Sequence, residues 1–150
     1  MHSTGAPKLT ELTDLSFPAI HQMLDESMRA GYQFIQRTID DWENGTNRFS
    51  GPGEKLWGLF LGSDLAGICG LNRDPYTPEP NVGRVRHLYV MEAHRRKGYA
   101  SLLMNVIMHE ARQHFTVLRL LTDNPAAAKF YEKLSFQNVN GDKVSHIMIF

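Results

Sequence analysis

The chain has a single cysteine, Cys69, in 150 residues. That excludes an internal disulfide framework and a cysteine-built metal cluster, and it points to a reducing, cytoplasmic compartment. A charge excess is lacking too. The 16 Lys plus Arg balance 16 Asp plus Glu, whereas a general nucleic-acid binder usually carries a basic surplus. No unbroken apolar run approaches a membrane span, and Met1–Pro7 has neither a cationic start nor an apolar stretch. Neither a membrane segment nor a signal peptide is therefore expected. Repeats, low-complexity tracts and interdomain linkers are missing as well. What is present is 42% apolar residues, too many for intrinsic disorder. A chain of this length suits one domain that buries roughly 68–70% of its unfolded surface. The expectation is one domain over residues 1–150, with 1–8 a flexible lead.

A short strand through Leu12 precedes a helical period from Asp14 onward, with Phe17, Ile20, Met23 and Leu24 on one face. Pro18 fits only in the first turn, and Gly31 ends the helix. Phe34, Ile35, Thr38, Ile39 and Trp42 form a second helical face, stopped at Gly45. Leu56–Leu61 and Leu65–Leu71, separated by Gly62-Ser63-Asp64, read as an antiparallel hairpin. Asn72–Gly83 holds Pro75, Pro78 and Pro80 and reads as a loop, after which Val85–Val90 is a strand. Beyond Gly98 a helix runs to about His114, with Leu102, Leu103, Val106, Ile107 and Ala111 expected inside. Val117–Leu121 is a strand and Pro125–Leu134 a short helix. Phe136–Val139 and His146–Phe150 close the chain around the turn Asn140-Gly141-Asp142. The fold class is α/β (α+β) with a mixed sheet.

The densest chemical signal is the strand end Leu88-Tyr89-Val90 followed by His94-Arg95-Arg96-Lys97-Gly98-Tyr99-Ala100-Ser101 at a helix start. First-turn N–H groups lack intrahelical partners, and the helix dipole adds positive potential, so this junction suits an anion. Gly98 and Ala100 let a phosphate approach the backbone closely, and Arg95, Arg96 and Lys97 add charge. The bland alternative is a solvated basic turn. A strand before the cluster and an amphipathic helix after it favour the anion site. Neither the P-loop pattern nor Gly-x-Gly-x-x-Gly is present.

Arg95-x-x-Gly98-x-Ala100 after Leu88-Tyr89-Val90 resembles the acyl-CoA motif of the GNAT superfamily of N-acetyltransferases. Asn124-x-x-Ala127-x-x-Phe130-Tyr131-Glu132-Lys133-Leu134-Ser135-Phe136 is similar to that family's C-terminal motif, with Ser135 in place of the customary Gly. The resemblance covers Leu56 to Phe136. It implies a mixed, mostly antiparallel sheet flanked by helices on both faces, with acyl-CoA in a V-shaped slot at the sheet centre. It also implies acetyl transfer from acetyl-CoA to a primary amine of a small molecule or peptide, in a ternary complex and without a metal. Main-chain N–H groups from Arg96 to Ser101, Tyr99 and Ala100 included, would cradle the pyrophosphate, assisted by the side chains of Arg95, Arg96 and Lys97. Leu88, Tyr89 and Val90 would pair with the pantetheine amides as if the cofactor added a strand. The N–H of Val90 would steady the oxyanion. Asn124, with Ala127 in the same motif, would contact the pantetheine arm, and Tyr131 would protonate the departing thiolate. Many relatives dimerise, so a homodimer belongs among the expectations; nucleic acid and membrane do not.

Tyr131 has a second reading, since a Phe-Tyr pair on a short helix is commonly core packing. The general base is harder to place. An alkyl ammonium is only about 0.1% neutral at pH 7, roughly 4–5 kcal/mol to overcome. Where relatives put a Glu or His, this chain has Arg84 and Arg86, which cannot act as bases at neutral pH. His87 is one step off, so strict alternation points it to the other sheet face unless a bulge intervenes. It is either the base or a packed histidine. Glu92 reads as a solvated loop charge. Arg84 and Arg86 are either structural or face the acceptor, where they would attract a carboxylate or phosphate and repel a polyamine. Tyr32, Trp42, Trp57 and Tyr76 either line that side or pack in the core. His109 and His114 do not share a helix face, which leaves no metal motif. The alternative function is a catalytically weak acyl-CoA-binding or regulatory domain. A third reading, nucleotide or nucleic-acid binding at the basic turn, predicts competition by ATP or DNA.

Overall fold

The computed structural model describes residues 6–150; the flexible lead expected over 1–8 lies outside the described residues up to position 5. Lys8 already pairs with Phe60, so the strand begins earlier than that expectation. The order of elements is β1 (Lys8–Glu11), α1 (Ala19–Arg29), α2 (Phe34–Glu43), β2 (Lys55–Leu61), β3 (Asp64–Arg73), β4 (Val82–Val90), α3 (Tyr99–His114), β5 (Val117–Leu120), α4 (Pro125–Lys133), β6 (Gln137–Gly141) and β7 (Val144–Ile149). A single 3-10 turn, Glu92–His94, lies between β4 and α3.

The strands form one sheet in the order β1-β2-β3-β4-β5-β7-β6, antiparallel except for the pair β4–β5. The hydrophobic period sorts the helices onto its two faces. Ile20 and Met23 of α1 and Ile35 and Ile39 of α2 are buried with Leu56 and Ile68 on one face. Leu103, Met104, Ile107, Met108 and Ala111 of α3 are buried with Leu59, Cys69 and Leu118 on the other, joined by Tyr131 of α4. Each fully buried Leu, Ile or Met side chain contributes about 1.5–3 kcal/mol, so α3 is anchored mainly by this stripe.

The helical face of α3 is rotated from the sequence expectation. Leu102 is 36% exposed and Val106 half-buried, while Met104 and Met108 are fully or nearly fully inside. Both sets obey a helical period, and the observed face places the Met104 sulfur beside Cys69 of β3. The strand expected over Val85–Val90 begins at Val82, and the loop expected from Asn72 starts only after Arg73. The last hairpin turns at Asp142-Lys143, one step later than the Asn-Gly-Asp pattern suggested. Lys143 takes the left-handed conformation there, with φ 58°.

Two irregularities position the site. First, β4 and β5 pair only at Val82↔Val117, Gly83↔Leu118 and Arg84↔Arg119, then diverge. From Val85 to Val90 the β5 side of β4 has no partner strand, which makes a wedge open at the middle of the sheet. Second, β4 bulges. Ile68 pairs with Tyr89 but Gly70 with Arg86, so His87 and Leu88 together oppose Cys69. His87 absorbs the extra residue with φ 59°.

Candidate functional site

The bulge decides which side chains face which layer. Val85 is buried on the α3 face, and Leu88 and Val90 pack against the same cluster. Tyr89 is buried on the α1–α2 face. His87 lies there too, its ring stacked on Phe34 of α2 at 6.0 Å and edge-on to Phe49 at 6.5 Å. Strict alternation is thus broken, and His87 joins the face of Arg84 and Arg86. Burial, with Arg86 and Arg37 nearby, pushes its pKa down to about 3. Such an imidazole is neutral at pH 7 and a weak base for a proton leaving an ammonium.

A second group of expected site residues lies along the opened edge of β4. Met91 N–H donates to the Ala66 carbonyl, and Val90 faces Gly67 in the register. By antiparallel alternation the N–H of Val90 then points into the wedge rather than at β3. Its carbonyl accepts from Arg95 Nε at 2.9 Å. The Arg95 guanidinium lies 5.4 Å from the Tyr89 ring centre and 4.0 Å from Glu26. Arg95 thus braces the strand end while its side chain stays exposed at the start of α3. Arg96 and Lys97 remain exposed and make no ion pair among the described residues.

From Arg96 to Ser101, no main-chain N–H has an acceptor among the described residues, and the first α3 ladder bond is Leu102 N–H to Gly98 at 3.2 Å. Arg96 and Gly98 are both left-handed, with φ 64° and 81°, which turns successive N–H groups toward a common concavity. A Cβ built at Gly98 would meet nothing within 4 Å. Val90, His94, Gly98, Tyr99, Ser101 and Phe130 are among the residues that line a cavity of about 260 Å³ at this point. The Nδ1 of His94 is buried there without a hydrogen-bond partner. An anion-bearing ligand would answer these unmet donors, so the residues fit the acyl-CoA expected here.

Tyr131 is 7% exposed, edge-on to Phe130 and Phe136 at 5.3 and 5.7 Å. Its hydroxyl makes no hydrogen bond among the described residues, and burial pushes its pKa upward. It shares one cluster with Cys69, Leu88 and Val90, at the bulge. Asn124 is the N-cap of α4: its Oδ1 accepts from Ala126 and Ala127 N–H at 2.9 and 3.1 Å. That oxygen is occupied by the cap, and the amide nitrogen makes no hydrogen bond among the described residues. Ser135, at the motif's usual glycine, is left-handed with φ 77°.

On the α1–α2 face, Arg84 is not a free cation. It is 3% exposed, its Nε 3.1 Å from Asp74 Oδ1, with a further bond to the Lys143 carbonyl. Arg119 shares the same carboxylate at 3.4 Å. Arg86 is half-buried and makes no hydrogen bond or ion pair among the described residues. Trp42 packs on Phe49 at 6.5 Å, while Tyr32 and Tyr76 are exposed.

Three groups escaped the sequence reading. Asp74 carries the buried ion pairs, and Glu26 accepts from Tyr89 Oη and Glu92 N–H. His146 bridges Glu132 at 2.8 Å and Ser145 at 2.9 Å. Glu26 and Asp74 have partners remote in the chain, except for Tyr76 beside Asp74, so no local pattern marked them. Among the described residues no group of three His, Cys, Asp or Glu is placed to hold a metal ion, and no helix is long and apolar enough to cross a membrane.

The pattern of the acetyltransferase (GNAT) family matches residues 17–136. Among solved structures, a provisionally assigned acetyltransferase from Exiguobacterium sp. 255-15 is 24% identical, with 96% of this chain and 93% of that chain covered at a TM-score of 0.87. A GNAT-family acetyltransferase from Staphylococcus aureus Mu50 is 16% identical over 95% of this chain and 96% of that one, with a TM-score of 0.72. N-acetylglutamate synthase from Neisseria gonorrhoeae, complexed with coenzyme A and N-acetylglutamate, is 18% identical over 96% of this chain and 34% of its own, with a TM-score of 0.70. At these identities the likeness is one of fold.

Proposed function

The chain belongs to the acetyltransferase (GNAT) family, and from that membership we propose that it transfers an acetyl group from acetyl-CoA to a primary amine of a small molecule or peptide. The observation that carries this reading is the row of unpartnered N–H groups from Arg96 to Ser101 beside the unpaired stretch of β4. The row binds pyrophosphate oxygens, with Arg96 and Lys97 adding charge, and the strand stretch pairs with pantetheine amides. The amine nitrogen attacks the thioester carbonyl carbon, whose oxygen takes the negative charge and is held by the Val90 N–H. The C–S bond then breaks with its electron pair moving to sulfur. Tyr131 gives its proton to that sulfur and is reprotonated from water, while the amine loses its surplus proton to water. The products are the N-acetyl amine and free coenzyme A.

Tyr131 stays protonated across the physiological range, because burial raises its pKa. The same dry surroundings raise the pKa of the leaving thiolate, so the transfer remains matched. Tyr131→Phe is expected to slow turnover by roughly one to three orders of magnitude while the coenzyme A thermal shift persists. Unchanged steady-state turnover would remove Tyr131 from the mechanism.

One observation favours the second reading, a catalytically weak acyl-CoA-binding domain: His87, the nearest candidate base, is packed and weakly basic. Thiol release from acetyl-CoA over an amine panel, beside a thermal-shift titration with coenzyme A, separates the two. Stabilisation without turnover of any amine favours the binding domain.

A further inference from the structure

The wedge has two faces. On the α3 face it opens toward the cavity at Arg96–Ser101; on the opposite face its closed end is basic. Arg84 and Arg119 are register partners at the last β4–β5 pair, where the strands part. Leu118 and Leu120 are buried on the α3 face, so Arg119 points to the other one, as Arg84 does across from Val85. Lys143, from the β6–β7 turn, and Arg84 both lie against the Tyr76 ring, at 5.8 and 4.8 Å. Arg86 follows two residues after Arg84 on the same face, close to Tyr76, Asp74 and Asp41.

The charges here do not cancel. Arg84, Arg86, Arg119 and Lys143 stand against Asp74 and Asp41, and Asp74 is already shared between Arg84 and Arg119. Arg86 is left without a bonded counter-ion among the described residues, and burial holds its pKa below the usual arginine range. A half-desolvated guanidinium presents donors in a fork that matches a carboxylate or phosphate. Neutral His87 sits next to it and adds no competing charge.

Resting on the acetyl-transfer reading above, we propose that the acceptor amine also carries a carboxylate or phosphate group, which docks on Arg86 with Arg119 and Lys143 beside it. The amine then reaches the thioester through the wedge from the face opposite the acyl donor. Polycations such as spermidine are disfavoured by the same charges.

The test uses matched amines that differ in charge: amino acids and their carboxamides, 2-aminoethylphosphonate, and spermidine. Thiol release from acetyl-CoA gives kcat/KM for each, and equilibrium dialysis of the same radiolabelled amines against the protein without coenzyme A gives binding directly. Acids are expected to exceed their carboxamides by about tenfold or more, the scale of one charge-assisted hydrogen-bond pair. Arg86→Gln should collapse that ratio toward one, mainly through KM, and Arg86→Lys should restore part of it. Equal handling of acids and carboxamides by dialysis, or preference for spermidine in either assay, overturns the proposal. Failure of the parent reading looks different: no coenzyme A thermal shift and no thiol release with any amine. The dialysis comparison still decides the charge preference in that event.

Discussion

Acidification tests the placement of His87 directly. The imidazole titrates near 6.5 in an unfolded chain but only at about 3 in its stacked position against Phe34. Its neutral form is thus the one the fold accepts. Above pH 6.5 both states are neutral here and the stability is complete; as pH falls, the unfolded chain takes up a proton that the native state refuses. Stability drains away between 6.5 and the folded value, which is the direction for a depressed pKa. At pH 5 the loss is about 2 kcal/mol relative to pH 7, and at pH 3 it is about 4 kcal/mol. For a chain of this length, 2 kcal/mol lowers Tm by about 4–8 °C. The control is His87→Asn, which removes the titrating ring and tolerates the left-handed φ of 59°. Losing the ring stack costs the variant the same at every pH, so only the slope matters. Urea unfolding followed by circular dichroism at pH 7 and pH 5 should show the wild type losing about 2 kcal/mol more than the variant between those pH values. Parallel losses would mean that the ring is solvated, and the stacked geometry would have to be given up. The same result would return His87 to contention as the general base.

Two further perturbations probe the buried charges and the anion loop. Asp74→Asn strands Arg84, which is 3% exposed, and should cost about 3–5 kcal/mol in urea unfolding; the double variant Asp74→Leu/Arg84→Met should recover most of it, and a single-variant loss under 1 kcal/mol would refute the ion-pair argument. Gly98→Ala meets no steric obstacle but must hold φ 81° with a Cβ, costing about 1–2 kcal/mol. It should also weaken coenzyme A binding by about tenfold in a calorimetric titration, and unchanged affinity would place the pyrophosphate elsewhere.

Local signals explain what could be read without a structure. The run from Arg96 to Ser101 was legible because a helix start, a glycine and a basic cluster are contiguous, and main-chain donors follow from helix geometry alone. The β2–β3 hairpin was legible for a similar reason, two apolar runs around Gly62-Ser63. Val82 and Gly83 were hidden because the strand they begin carries Arg84, whose counter-ion Asp74 lies in the proline-rich loop. The contacts by which Arg95 braces the strand end were hidden because its partners, Glu26, Tyr89 and the Val90 carbonyl, meet only once α1 lies beside the end of β4. The face of α3 was legible as a period but not as an angle: whether Met104 or Leu102 is buried depends on how the helix is rotated against β3. The bulge at His87 leaves no mark in sequence at all, since any residue that tolerates its φ would serve.

The divergence of β4 from β5 has a consequence for folding as well as for ligand binding. After three register pairs the second strand neighbour of β4 is gone, so the most central strand of the sheet behaves from Val85 to Val90 as an edge. Exposed edges normally invite another chain to pair with them. This one lies between the α1–α2 layer on one face and the α3 layer on the other. The fold thereby keeps a set of pairing groups without a neighbouring strand at the middle of the sheet instead of at its rim.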